Sequence, residues 1–574
     1  MISRCFSAGV LLALTSTITA ATFNVRDHGA KGDGLTLDSP AINAAIAAAA
    51  QAGGGTVQIP AGRYLSFSLR LQSHITLAFD NGAVLVAAEP AAGLGAYDAP
   101  EPTDSDQFQD FGHSHWQNSL IWGVGLEDVA IVGPGLIDGT KGLVRYGPPA
   151  PRRSPGEGPA SSGASPTGSA GPTGAAPAAG TAVNNRPPRR SMEGQGNKAI
   201  ALKNCRNVTL RDFAILRGGH FALLATGVDN LTLDNLRIDT NRDGFDIDVC
   251  RNVRVTNCIV NSPNDDGICL KSSFALGVAR PTENVTITNC VVSGFDVGTM
   301  LDGTYGRTME HAPDRDGPTG RIKFGTESNG GFRNITISNC VFVRSRGLAL
   351  EAVDGGVIED VTVSNLAMRE ITSSPIFLRL GHRARGPDGT DVGAIRRVQI
   401  SHVTASDCDA RYPILISGVP NAAIEDVTLS DIHIVSRGGI SLEQVAQQPA
   451  ELVNPFFLRG AEPGATGPRE PFAVPERIDG YPEPSMFGLL PAGALYARHV
   501  RNLTVRDTTV AHVASDLRPA VVLANAAGVM FDGFRVARSP DRPVFVLRDV
   551  DEFAARDCAN IADVQLPHAA DTSF

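Results

Sequence analysis

The sequence predicts an all-β chain wound as a right-handed parallel β-helix, a solenoid closed at its N-terminal end by a helix. The first observation is a strand phrase that recurs every 22–23 residues: Asn207-Val208-Thr209-Leu210, Asn230-Leu231-Thr232-Leu233 and Asn252-Val253-Arg254-Val255. The second is its persistence along the chain. It runs from His74-Ile75-Thr76-Leu77 and Asp128-Val129-Ala130-Ile131 through Asn284, Asn334, Asp360 and Asp426 to Asn502-Leu503-Thr504-Val505. Each phrase alternates β-branched and polar residues after an Asn, Asp or His that tolerates left-handed backbone angles, and together they predict about ten coils. The third is the one strong helix signal, residues 39–52, with Ser39 as N-cap and Pro40 in the first turn ahead of an alanine run. A helix there plugs the open end, as terminal repeats require. An antiparallel sandwich lacks one phrase at one spacing.

The remaining segments follow from composition. Residues 1–20 read as a secretory signal: Arg4, a short apolar run over Val10–Leu14, and small residues at Ala20-Ala21. That run is too short and too rich in Ser and Thr to span a bilayer, so a periplasmic or extracellular protein without membrane association is expected. Residues 21–574 read as a single domain. Residues 147–190, rich in Pro, Gly, Ala, Ser and Thr, interrupt it as a low-complexity loop. Eight cysteines follow Cys5, several in the repeated Asn-Cys or Cys-Arg-Asn-Val context, which fits stacked thiols better than a disulfide framework. The Asn-x-Thr sequences at Asn207, Asn230, Asn284, Asn334 and Asn502 are a by-product of the repeat. A formal net charge of −10 argues against nucleic acid as a partner, though a local basic cleft still binds anions beyond the reach of screened net charge.

The pair Asp265-Asp266 lies 22 and 23 residues after Asp243, the same interval as the strand phrase. On a solenoid one turn equals one interval, so Asp243 stacks beside the pair at about one strand spacing, roughly 4.8 Å. Three carboxylates so placed repel one another and favour retention of a proton near neutral pH, which is what acid–base chemistry needs. Single Asp residues at coil corners are also common turn formers. Asp246 and Asp248 are assigned that structural role.

These residues carry a resemblance. Asn241-Arg242-Asp243-Gly244-Phe245-Asp246, Asp265-Asp266 and Arg321-Ile322-Lys323, in that order, resemble the motifs of glycoside hydrolase family 28, the inverting polygalacturonases. The start Phe23-Asn24-Val25-Arg26-Asp27-His28-Gly29-Ala30 is similar to that of many pectin-acting β-helices. The resemblance implies a metal-free, cofactor-free, secreted hydrolase of galacturonate-containing pectin. Asp265 would be the general acid, and Asp243 and Asp266 would hold and deprotonate the attacking water. Arg321 and Lys323 would bind a uronate carboxylate. An inverting enzyme needs an acid and a base about 6.5–9.5 Å apart, with the acid's pKa raised. Arg binds a planar carboxylate through two hydrogen bonds and Lys adds a point charge.

Two departures stand out. Arg242 replaces the Thr usual in the first motif, and the family's Gly-His-Gly is missing, with no His from residue 221 to 310. Members acting on rhamnogalacturonan are similar in lacking that His. Asn241, Arg242, His220 (one coil before Asp243) and Arg307 are further candidate substrate contacts, with Arg379 and His382-Arg383 on later loops. The segment Tyr481–Gly488 is placed to wall off one end of the cleft, which favours exo action by a monomer. Three alternatives stay open: a rhamnogalacturonan hydrolase, a calcium-dependent pectic lyase, and a non-catalytic glycan-binding solenoid.

Overall fold

A computed structural model of the chain describes residues 21–91, 93–147, 192–458, 467–537 and 542–574. The expected leader 1–20 and almost all of the expected loop 147–190 lie outside the described residues. Successive turns run through three parallel ladders that form the faces of a right-handed β-helix. One face stacks Phe221–Thr226, Asp243–Asp248, Ile268–Ser272, Ile322–Ser328, Leu348–Ala352, Ile376–Leu380 and Ile414–Ser417. The second holds the recurring phrases, and the third is shorter.

Alternation explains why the phrases fold this way. Val208 and Leu210, Leu231 and Leu233, Val253 and Val255, and Val285 and Ile287 point inward and are buried, each aligned with its equivalent on the next turn. Each buried aliphatic side chain contributes about 1.5–3 kcal/mol, so the repeat itself builds the core. The opening residue turns the corner in left-handed backbone, at φ 56° for Asn207, 60° for Asn230 and 57° for Asn252. Asn tolerates that conformation because its short amide bonds locally. Here the amides join into a ladder. Asn230 donates to Asn207 at 2.9 Å, Asn252 to Asn230 at 3.1 Å, Asn284 to Asn252 at 2.9 Å and Asn334 to Asn284 at 2.8 Å. Three later turns lack the phrase because Arg397, Gly528 and Glu552 occupy the left-handed corner in place of Asn or Asp, at φ 54°, 65° and 51°.

The ends are closed differently. At the N-terminal end the helix Ser39–Gln51 packs Ile42, Ala45, Ile46 and Ala49 into the core. It differs from expectation in its cap: Asp38, not Ser39, holds the N-cap position. The Asp38 carboxylate is engaged elsewhere, by the backbone N–H groups of Lys31 and Gly32. At the other end Val564–Ser573 turns back antiparallel onto Phe545–Arg556 and covers the last turn. All eight described cysteines are reduced and buried, with Cys258, Cys290 and Cys340 stacked on successive turns.

Long insertions leave from one corner, where the third face turns into the first. They occupy 88–120, 139–199, 294–321 and 439–494. The outward side of the first face is therefore covered. Trp116, Phe221 and Leu224 form an apolar cluster over its early turns. Phe377, Leu415, Met486, Phe487 and Tyr496 form another over the later ones. Between them the outward column turns polar, with Asp246, Cys269 and Lys323 in register. Among the described residues no helix is long and apolar enough to cross a membrane.

Candidate active site

The polar window is centred on the turn that carries Asp243. Because Phe245 pairs with Ile268, Asp265 and Asp266 come to lie beside Asp243 at the corner. The backbone locks this approach: Gly244 N–H donates to the Asp266 carbonyl at 3.0 Å and Asp266 N–H donates to the Asp243 carboxylate at 3.1 Å. Gly244 is required here, since a Cβ would fall 2.4 Å from the Gly267 carbonyl oxygen. One oxygen of each carboxylate lies within 4.8 Å of one oxygen of the other two. Asp243 and Asp266 are buried, whereas the Asp265 side chain is 27% exposed.

The surroundings drive the carboxyls apart in proton affinity. Burial, reinforced by Asp265 and Asp246, raises Asp243 well above the usual carboxylate range, against the opposing pull of Lys271 and Arg242. Burial acts the same way on Asp266, but Lys323, Arg321 and Lys271 outweigh it and hold Asp266 low. Arg321 Nε donates to Asp266 at 2.7 Å, and Lys323 Nζ lies 3.3 Å from its other oxygen. Arg242 Nη2 pairs with Asp265 and lies 3.7 Å from Asp243.

The expected residues are distributed as follows. Arg321 and Lys323 are buried, as Asp243 and Asp266 are. Besides Asp266, Arg321 binds Glu483 through both terminal nitrogens, and Lys323 lies 3.3 Å from Glu351. Asn241 and Arg242 are half-buried at the turn into the Asp243 strand. His220 is buried on the preceding turn, stacked on Phe221 with ring centroids 4.2 Å apart. Arg307 is remote from this cluster in its pairing: half-exposed, it meets Glu370 at 3.2 Å and lies over the Phe295 ring. Arg379 is buried and spent on the Ser417 hydroxyl and backbone carbonyls. Arg383 pairs with Asp354, and His382 contacts the Thr390 carbonyl. The stretch standing where Gly-His-Gly is absent forms a loop tied to Asp239, whose carboxylate accepts from the N–H groups of Gly298, Met300 and Leu301.

Several site residues escaped the sequence reading. Glu351 had a signal, a lone acid in Leu348-Ala349-Leu350-Glu351-Ala352 one turn after Arg321. Glu483 and Tyr481 lay in the segment expected to wall the cleft, but nothing local pointed to Arg321 as a partner. His113, 3.3 Å from Asp246, and Glu327, 3.0 Å from Lys271, come from an insertion and a strand with no distinguishing pattern. The Asp243/Asp265/Asp266 trio is the one set among the described residues close enough to ligate a cation. Arg242, Arg321 and Lys323 already neutralise it, which disfavours a further positive charge.

Comparison with known proteins agrees with this architecture. Residues 189–311 match the family model described as right handed beta helix region, and residues 22–111 match rhamnogalacturonase A/epimerase, pectate lyase-like. A probable polygalacturonase of Vitis vinifera is 23% identical over 60% of this chain and 60% of its own length. The exo-poly-alpha-D-galacturonosidase of Dickeya chrysanthemi is 22% identical over 64% of this chain and 58% of its own. The chain thus spans about three-fifths of these relatives. A 44-residue stretch, 8% of this chain, is 64% identical to a mannuronan C5-epimerase of Azotobacter vinelandii and covers 3% of it. The exopolygalacturonase structure from Thermotoga maritima superposes with a TM-score of 0.52 at 19% identity, covering 72% of this chain and 87% of that one, and shares the fold. The chain is a right-handed β-helix protein with distant sequence similarity to a probable polygalacturonase and an exo-poly-alpha-D-galacturonosidase.

Proposed function

We propose that the chain is a glycoside hydrolase cleaving galacturonate-containing pectic oligosaccharides from one end, with inversion. The observation that carries the reading is the carboxylate trio itself: one oxygen of each lies within 4.8 Å of the others, with Asp243 and Asp266 buried and Asp265 open. Asp243, whose affinity burial raises, holds a proton within reach of Asp265. Asp265, the member open to the cleft, passes that proton to the glycosidic oxygen as the C1–O bond breaks. Asp266 stays ionised and takes a proton from the water that attacks C1. Inversion rests on the family resemblance, because oxygens within 4.8 Å are closer than the usual inverting pair at about 6.5–9.5 Å. Exo action is supported by the insertions crowding the corner above the trio. Residues 1–20 support action outside the cytoplasm.

A second substrate is favoured by one observation, the absence of His from 221 to 310 beside a rhamnogalacturonase-type match over 22–111. A time course on polygalacturonan and rhamnogalacturonan oligosaccharides, run with calcium and again in EDTA, with proton NMR of the first-formed anomer, decides between them. Monogalacturonate from the outset supports exo hydrolysis, and cleavage confined to rhamnogalacturonan selects the second substrate. An unsaturated product lost with chelator would replace hydrolysis by calcium-dependent elimination, and no cleavage of either would remove the enzymatic reading.

A further inference from the structure

Arg321 and Lys323 are spent on protein carboxylates: Asp266, Glu351 and Glu483 hold them, and both lie buried. A substrate carboxylate would have to displace Glu483 from two nitrogens of Arg321 to reach that guanidinium. A different cationic set borders the opening above Asp265. The pairing of Phe221 with Asp243 puts His220 and Arg242 side by side on adjacent turns. Arg145 lies with its guanidinium 4.6 Å over the Tyr146 ring, and that ring is 6.3 Å from His220. These side chains keep polar atoms unused. Nε of Arg242, Nε of Arg145 and both ring nitrogens of His220 are buried and have no hydrogen-bond partner among the described residues. Buried donors without partners cost about 1–3 kcal/mol each, and a ligand that accepts from them recovers that cost.

We propose that Arg242 and Arg145, with His220 beside them, grip the carboxylate of a bound galacturonate. This rests on the galacturonate-directed reading above. Arg242 meets Asp265 and Asp243 through Nη2, leaving its Nε edge for a ligand. Arg145 forms no ion pair among the described residues, and both arginines feel Asp110, which lies 3.9 Å from Arg385. Burial, and after it the charge of Arg242, lowers the proton affinity of Arg145, so an anion that meets both arginines relieves that repulsion as well as filling their donors. Arg242 stands where the family usually has Thr. The substitution therefore supplies a cation at the turn that carries Asp243, on the side where Arg321 is unavailable.

The test is binding of D-galacturonate and, as the uncharged counterpart, D-galactose to the full chain by NMR titration. Wild-type protein is expected to bind galacturonate at least about tenfold more tightly than galactose, the scale of one charge-assisted hydrogen bond. Arg242→Gln and Arg145→Gln should each remove most of that preference and leave galactose affinity within about twofold. Arg242→Lys, which keeps the charge but not the fork, should retain part of it and guards against a folding defect in Arg242→Gln. Arg535→Gln, at an exposed pair with Asp557 near the C-terminal end, should change nothing. No preference in the wild type, or a preference that survives both glutamine variants, overturns the assignment. Hydrolysis is scored separately. A preference lost in the variants without any pectic cleavage by wild type removes the enzymatic reading alone, and cleavage with an insensitive preference removes this inference alone.

Discussion

The Glu483 carboxylate lies across the guanidinium of Arg321, accepting from Nη1 at 3.2 Å, while Nε of the same arginine donates to Asp266 at 2.7 Å. Residues 162 positions apart thus orient one buried cation against a catalytic candidate. Removing one member of a buried pair leaves the other charge uncompensated, at a cost of about 3–5 kcal/mol. Glu483→Gln is expected to lower unfolding stability in urea by about 3 kcal/mol, moderated by the amide's remaining hydrogen bond. A loss under about 0.5 kcal/mol would show that water, not Glu483, balances Arg321.

Asp266 is the expected base and Asp265 the expected acid. Asp266→Asn and Asp265→Asn should each lower kcat on a cleaved pectic oligosaccharide by about 10²–10⁴ with little change in KM. Because the two act as one unit, the double variant should lose little beyond either single one. Multiplicative losses would show that they act independently.

Glu351 makes stability depend on pH. Burial pushes it up to about 7 from 4.5, against Lys323 and Arg321 and helped by Glu483 and Asp266. A carboxyl raised on folding costs nothing below about pH 4.5, where both states are protonated. Between about 4.5 and 7 the unfolded chain ionises while the folded one keeps its proton, so stability falls; above about 7 the loss is complete at about 3 kcal/mol. Urea midpoints of wild type and Glu351→Gln, measured from pH 4.5 to 8, should diverge in this direction, with the wild type losing ground. Parallel curves would place the titration on another group.

The asparagine ladder is separable from the core. Asn252 donates to Asn230 and accepts from Asn284 while holding φ at 57°. Asn252→Ala loses both bonds and, with a Cβ still in left-handed backbone, the side-chain amide that makes that conformation tolerable, for a combined cost of about 2–3 kcal/mol. Asn252→Gly keeps the backbone freedom and should cost about 1 kcal/mol less. Equal losses would mean that the ladder, not the corner conformation, sets the cost.

Everything that repeats is legible in the order of residues alone. The 22–23-residue interval sets the turn, alternating Val, Leu and Ile set the inward faces, and Asn at the corner sets the left-handed bend. Asp243 meets Asp265 and Asp266 because their spacing equals one turn, so local periodicity carried that contact. The tertiary structure alone decided which charges surround the trio. Glu483 and His113 arrive on insertions that obey no period, and Arg145 stands at the edge of another. Their partners follow from how loops leaving one corner fold back over a common face. It also decided that Asp266, Glu351 and Glu483 surround Arg321 and Lys323 and that all of them are buried. A motif records residue types in order, whereas burial depends on what the rest of the chain lays over them.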